Sequence, residues 1–292
     1  MNGTKARTYA ERINRVCDYI YQHLDDELSL DQLSQLACFS KFHFHRQFSE
    51  YTGITLNRFV QLMRLKRASY RLAFDKEDRI IDIALEARFE NPESFSRAFK
   101  TAFNQTPSQF RAEPKWPDWH TKVQIQLPKK EEQINMDIKI VDFKQTKVAV
   151  FKHRDAPDRV YESVGIFIEW RKQSKQSPVN SSQTYGIIYD NPETTPPNEF
   201  RFDICGSVEK GIPENPQQIT PGIIADGRCA VVRHNGSLEN VGETVCKLYA
   251  EWLPESGEEL RDTPLFFHYL NLITDVQEHE LETDIYLPLK QA

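Results

Sequence analysis

The chain has 292 residues and carries 37 Lys and Arg against 43 Asp and Glu, a net charge of −6. No apolar run reaches the roughly 18 residues that a membrane-spanning helix needs, and the opening M-N-G-T-K-A-R-T-Y-A has no apolar signal core, so a cytoplasmic protein with no membrane partner is expected. The five cysteines, at 17, 38, 205, 229 and 246, include no C-x-x-C pair, which excludes the usual zinc clusters and disulfide frameworks.

The acidity is uneven along the chain. Residues 1–112 hold 17 basic and 14 acidic residues, a balance of +3, and the remainder holds 20 and 29, a balance of −9. The first part can approach phosphates, and the second should face away from them. Ile13, Val16, Cys17, Ile20 and Leu24 form an apolar stripe at helical spacing. Ser29-Leu30-Asp31-Gln32 reads as a capping box that opens a short helix with Leu33, Leu36 and Ala37 inward. A turn of a few residues then leads to Ser40, a suitable N-cap for S-K-F-H-F-H-R-Q-F-S-E-Y. In that stretch Phe44, Phe48 and Tyr51 make an apolar root, and Phe42, His45, Arg46 and Ser49 share another face. Short helix, tight turn and amphipathic helix describe a helix-turn-helix. Its Arg-bearing face suits a DNA major groove. His43 and His45 lie two apart and point different ways, so no metal pair is expected there.

After Gly53, the residues Leu56, Phe59, Val60, Met63, Leu65, Ala68 and Leu72 predict a helix over about 55–74. It is apolar on more than one side and should pack against two subdomains. The pattern then returns: Leu30, Leu33, Ala37 and Phe39 match Ile80, Ile83, Ala87 and Phe89. Asn91-Pro92 is an N-cap with Pro at the first helical position. Phe95, Phe99 and Ala102 form the second root, with Glu93, Ser96, Arg97 and Lys100 outward. Two assignments stay open: Arg97 meets bases or pairs with Glu93, and Phe42 faces outward or is buried. T-P-S-Q-F-R begins a short closing helix, and residues 113–135 read as a linker pinned by Trp116 and Trp119 against one of the domains.

The motif I-I-D-I-A-L-E-A-R-F-E-N-P-E-S-F-S-R-A-F-K-T-A-F-N-Q-T-P-S-Q-F-R resembles the signature of AraC/XylS-type transcription regulators. L-S-Q-L-A-C-F-S-K-F-H-F-H-R-Q-F resembles their first helix-turn-helix. The resemblance covers roughly residues 9–112. It implies two recognition helices held by one long helix, entering successive major-groove segments of double-stranded DNA about 34 Å apart. By matching positions, Phe42, His45 and Arg46 would meet bases from the first helix, and Asn91, Glu93, Ser96 and Arg97 from the second. Ser40, Lys41 and Lys100 would meet phosphates. Arg46 and Arg97 suit guanine, whose O6 and N7 they can bridge. The chain departs from the family at Arg88 and Asn104, where glycine is usual. Arginine would cost about 1 kcal/mol if its turn requires the left-handed conformation.

From Met136 the pattern turns to strands. Ile138 to Phe143, Val148 to Phe151, Tyr185 to Tyr189 and Phe200 to Ile204 are strand-like, and Val160 to Trp170 is helical. A-V-F-K-H at 149–153 matches A-V-V-R-H at 230–234, Glu169-Trp170 matches Glu251-Trp252, and Asp203-Ile204 matches Asp284-Ile285. A duplicated β-α-β-β unit follows from this repeat. The expected fold is an all-α double helix-turn-helix domain (1–112), a linker (113–135) and an α+β domain (136–292) whose antiparallel sheet carries two helices on one face.

E-W-L-P-E-S-G-E-E-L-R-D-T-P-L-F-F-H-Y-L-N, with D-I-Y-L-P-L-K at the end, resembles the gyrase-inhibitor-like small-molecule-binding domain. The two halves together resemble regulators of the Rob type. That resemblance implies an aromatic cleft for an organic effector, with Trp170, Tyr185, Phe267, Tyr269, Tyr286 and Trp252 as candidates. Each of these has core packing as its alternative. Relatives that bind cationic drugs usually carry a buried Glu where this chain has Phe267, in P-L-F-F-H-Y. With that Glu absent, and with no P-loop, G-x-S-x-G or H-E-x-x-H, neither catalysis nor a cofactor is expected. The competing assignment for this half is a protein-interaction module that binds RNA polymerase or another regulator.

Overall fold

The first apolar stripe folds as α1 (Asn2–Gln22) in the computed structural model, which describes residues 2–123 and 136–291. The side chains of residues 2–10, 41, 42 and 50 lie outside the described part. The chain divides into two units, Met1–Ile134 and Asn135–Ala292.

In the first unit α2 (Leu30–Leu36) and α3 (Lys41–Thr52) form one helix-turn-helix, and α5 (Ile80–Glu86) and α6 (Pro92–Phe103) form the other. Between them runs α4 (Leu56–Phe74), buried at twelve positions around its girth. Phe44, Phe48, Phe95 and Phe99 are fully buried, so both aromatic roots seat as their spacing predicts. The Phe48 ring meets the Phe59 ring of α4 edge-on at 5.4 Å.

The caps only partly follow the sequence. Ser29 Oγ accepts from the Gln32 amide at 3.2 Å, but the Gln32 side chain donates to the Tyr19 hydroxyl and does not return to the cap. Ser40 has N-cap backbone geometry without a side-chain cap bond. Asn91 does cap its helix, accepting from the Ser94 amide at 2.8 Å. A complete capping box stands at Thr106 and Gln109, opening α7 (Pro107–Ala112).

Arg88 has φ 62°, and Cys38 takes φ 53° at the matching turn of the first motif. The turn therefore demands the left-handed conformation in both copies. Arg88→Gly is expected to stabilise the protein by about 1 kcal/mol, read as a rise in the urea midpoint of the intact chain. An unchanged or lowered midpoint would show that the arginine makes good its backbone cost.

Three arginines on α4, at i, i+3 and i+7, stitch the two motifs together. Arg64 donates to the carbonyls of Leu24 (2.9 Å) and Asp26 (3.1 Å) in the loop before α2. Arg67 grips both carboxylate oxygens of Asp25 and reaches the Glu86 carbonyl at the end of α5 (3.1 Å). Arg71 pairs with Asp78, with Glu86 at 2.6 Å and with Asp75 at 3.3 Å. The hydrogen bond from Arg67 holds the Asp25 carboxyl below its usual range.

The segment expected to be a linker contains a helix, α8 (Trp116–Val123). Its two tryptophans are buried within the first unit. Trp116 stacks on Phe74 at 5.7 Å, and Trp119 meets Tyr70 at 5.2 Å. The Trp119 indole donates to Ser69 Oγ at 2.8 Å. The apparent lack of periodicity hid about two helical turns whose apolar face is Trp116, Trp119 and Val123, spaced i, i+3, i+7. The rest of the expected linker, 124–135, lies outside the described residues.

The second unit is one antiparallel eight-stranded sheet in the order β1-β6-β8-β7-β3-β4-β2-β5. Its elements in chain order are β1 (Lys139–Phe143), β2 (Thr146–Arg154), α9 (Val160–Ser174), β3 (Thr184–Ile188) and β4 (Arg201–Ser207). The second set is β5 (Thr220–Ile224), β6 (Gly227–Asn235), α10 (Val241–Lys247), a π-helical turn (Leu248–Trp252), α11 (Leu253–Ser256), β7 (Leu265–Tyr269) and β8 (Glu282–Pro288). The expected β-α-β-β unit is present twice, each copy preceded by an edge strand. A shift of 81 residues carries every strand of the first copy onto the second. It also carries one hydrogen-bond network onto another. His153 Nδ1 meets Ser163 Oγ at 2.8 Å and Nε2 meets the Ala156 carbonyl at 3.1 Å. His234 makes the same two contacts with Thr244 and Ser237 at 2.8 and 3.0 Å. These histidines anchor each helix to its strand. The Trp170–Trp252 match needs a shift of 82. The extra residue is absorbed by the π turn, which holds one more residue than an α turn would.

The sheet curls. Flat strands at 4.8 Å spacing would put β1 and β3 roughly 19 Å apart, yet the Phe143 and Tyr185 rings are 6.3 Å apart. Both helices pack on the convex face. At the centre of the sheet β3 pairs with β7, and Gly186 lies directly opposite Phe267. These two residues are equivalent under the 81-residue shift, so the local twofold axis passes between them. A Cβ at 186 would come within 2.5 Å of the Phe202 ring and 2.6 Å of the Tyr269 hydroxyl.

Candidate functional site

Once Phe44 and Phe48 are buried, the opposite side of α3 must face solvent. His45 and Arg46 are exposed there, with Ser49 half-buried behind them, and Ser40 is exposed at the helix start. Lys41 and Phe42 lie on the same helix, and their side chains are outside the described part, so the choice between an outward and a buried Phe42 is not made here. On α6, Glu93, Arg97 and Lys100 are exposed and Ser96 is half-buried. The open choice at Arg97 resolves toward solvent: neither Arg97 nor Glu93 forms an ion pair among the described residues. Arg46 is likewise uncommitted. Among the described residues, α3 and α6 thus each present an exposed guanidinium with no ion pair, whose geometry suits a fork-like contact. Asn91 keeps its amide nitrogen for donation while its oxygen caps the helix.

In the second unit the six aromatic candidates do not share one cleft. Trp170 and Phe267 are buried on the helix side of the sheet, where the half-buried Trp252 and Tyr269 pack with them. Tyr185 and Tyr286 lie on the concave face. Strand alternation is the reason: neighbouring positions of a strand point to opposite faces, and these two tyrosines have the parity of Phe266, not of Phe267. They join Phe143, Phe266 and His268, which the sequence reading did not single out. Tyr286 stacks on Phe266 at 4.8 Å and 6°, and Tyr185 stacks on His268 at 4.7 Å. Register between β3, β7 and β8 was the missing signal. Burial pushes the Tyr185 hydroxyl up to about 12 and lowers His268 below the usual histidine range.

Glu199 and Glu251, acids of the second unit, are exposed, and Glu169 is half-buried. With Phe267 at the position of the absent Glu, the helix-side cluster has a ring and not a carboxylate there.

Comparison with known proteins agrees with this division. Residues 136–290 match the family model described as a GyrI-like small molecule binding domain. Residues 33–113 match one described as a helix-turn-helix domain. The chain is 47% identical over 156 residues to the probable transcriptional regulator YgiV of Escherichia coli (strain K12), covering 53% of this chain and 98% of that one. It is 39% identical over 94 residues to the right origin-binding protein of the same strain, 32% of each chain. It is 35% identical over 103 residues to the uncharacterized HTH-type transcriptional regulator YbfP of Bacillus subtilis (strain 168), 35% of each. Among the described residues no helix is long and apolar enough to cross a membrane.

Proposed function

The chain belongs to the GyrI-like small-molecule-binding family, carries an AraC-type helix-turn-helix domain ahead of that domain, and is a DNA-binding transcriptional regulator; we propose that it reads two successive major-groove segments in sequence-specific fashion and answers to a small organic effector. The observation that carries the DNA half is the doubled recognition helix, with the same buried Phe pair beneath and an uncommitted arginine above. Arg46 and Arg97 take guanine, His45, Ser49, Glu93 and Ser96 sit beside them at the base edges, and Lys100 and Ser40 hold phosphates. The proposed working division is 1–112 for DNA, 113–135 for connection and 136–292 for the effector. Two motifs in one chain make dimerisation unnecessary for a two-groove site.

Titration of a duplex selected from a random pool tests the DNA half. Arg97→Ala is expected to lose about 1–3 kcal/mol, roughly 5- to 150-fold, and to relax the preference at one base position. Lys100→Ala should weaken all sequences alike. Equal loss on every sequence for Arg97→Ala would remove it from base reading.

For the second unit, the helix-side aromatics Trp170, Trp252, Phe267 and Tyr269 support an effector of aromatic, uncharged type. A ligand bound only by the native state at 100 times its Kd adds about 2.7 kcal/mol. Thermal shifts against cationic, neutral and anionic aromatics should therefore single out the neutral set. Silence across all three would favour an interaction module with a protein partner such as RNA polymerase.

A further inference from the structure

A cleft of about 460 Å³ opens within the first unit, bounded by Asp26, Glu27 and Leu28 before α2, by Leu56, Asn57, Val60, Gln61 and Arg64 on α4, and by Arg88. It lies where the leading loop of the first helix-turn-helix meets the turn of the second. Its volume is in the range of small-molecule sites. We propose that this cleft binds an oxyanion, a carboxylate or phosphate group, between the guanidinium groups of Arg64 and Arg88.

The donors are arranged for it. Arg64 is tied to two loop carbonyls through Nε and Nη2, which leaves Nη1 uncommitted and fixes the direction of the group. The Arg88 amide donates to the Leu85 carbonyl at 2.9 Å, and its guanidinium makes no hydrogen bond or ion pair among the described residues. The two cations line one cleft; burial first, and then the charges of Arg88 and Arg67, lower the proton affinity of Arg64 against the opposing pull of Asp25. Asp25 offsets part of the repulsion between the two, and an anion in the cleft would relieve the rest. Asn57 has an uncommitted amide, and the Gln61 oxygen is taken by Arg58 Nη1 at 3.2 Å, leaving its amide nitrogen to donate. Leu28, Leu56 and Val60 supply apolar wall for the body that carries the anion. The acids nearby are accounted for in part: Asp25 is held by Arg67, and Asp26 by His23 Nδ1 at 2.7 Å. Glu27 remains at the exposed rim and disfavours a multiply charged ligand there.

Arg88 also stands at a left-handed position that glycine fills more easily. An outlier of that kind points to a task for the side chain. A bound anion would add a bridge between the two motifs, alongside the Arg67 strut, and so set the spacing of the recognition helices.

The anion has two possible sources, a free small molecule or a backbone phosphate of DNA; only the second rests on the DNA reading above. The intact chain is titrated with inorganic phosphate and with benzoate against chloride at matched ionic strength, as wild type and as Arg88→Gln. A free-anion site gives a saturable rise in melting midpoint for the wild type that Arg88→Gln abolishes. A DNA-phosphate site gives no such rise, but Arg88→Gln lowers the slope of log K against log salt for duplex binding by about one. If Arg88→Gln matches wild type in both measurements while the wild type still binds duplex, the proposal is overturned. If wild type binds no duplex at all, the DNA reading has failed, and the free-anion titration alone decides the cleft.

Discussion

Trp119→Ala is expected to cost the first unit about 3–5 kcal/mol, the range for removing a large buried aromatic. The side chain is fully buried and lies against Tyr70 of α4, Phe103 of α6 and Trp116 of its own helix. No backbone shift of a short surface helix can refill that space, and the indole hydrogen bond to Ser69 is lost with it. A single domain is stable by about 5–15 kcal/mol, so a large share is removed. Phe103 is the last residue of α6, so the loosened end is that of the second recognition helix. Urea unfolding of the intact chain measures the loss, with hydrogen exchange assigning the transition to α4, α6 and α8. Trp119→Phe keeps most of the ring and should recover most of the deficit. A loss under about 1 kcal/mol, typical of a surface substitution, would mean that α8 is only draped on the unit.

Arg171→Ala is expected to cost the second unit about 3 kcal/mol. Arg171 lies in the last turn of α9, almost wholly buried, with no carboxylate partner among the described residues. It donates to the Ser177 carbonyl at 2.5 Å, Thr184 Oγ1 at 2.8 Å and Ser182 Oγ at 2.7 Å, and lies over the Phe167 ring at 5.7 Å. Burial pulls its pKa down to about 10, so it stays charged at neutral pH while holding the loop from α9 to β3 in place. Truncation leaves the Ser177 carbonyl without its donor in a closed site. Arg171→Met keeps the stem against Phe167 and should restore the packing part, leaving about 1–2 kcal/mol as the share of the hydrogen bonds. If both variants melt with the wild type, the loop is held by something other than this guanidinium.

Much of this architecture was legible because it rests on short-range periodicity. Phe44, Phe48, Phe95 and Phe99 announce two recognition helices by spacing alone, and the A-V-F-K-H repeat announces a duplicated sheet. The family resemblance added which outer residues would face DNA. What escaped was set by long-range register or by competition for the same group. Tyr185 and Tyr286 have the chemistry of a ligand pocket, but their strand parity sends them to the face away from Phe267. Gln32 has the chemistry of a capping box, but Tyr19 claims its amide. The charges of Arg64, Arg67 and Arg71 are visible at helical spacing, yet only the meeting of α4 with the loop before α2 and with the Asp75–Glu86 stretch, α5 included, shows what they hold.

Gly186 and Phe267 face each other across the local axis that relates the two halves. Two identical chains meeting at such an axis would place the same side chain on both sides of it. Two phenylalanines would compete for one space, and two carboxylates would repel. Joining the halves covalently removes that constraint, because one copy can become glycine, leaving its space to Phe202 and Tyr269, while the other keeps a ring. The residue at 267 therefore stands at the centre of the domain, among Phe202 and Tyr269, with no symmetry mate of its own kind. One codon sets the character of that centre, ring or acid, with no second substitution needed to balance it.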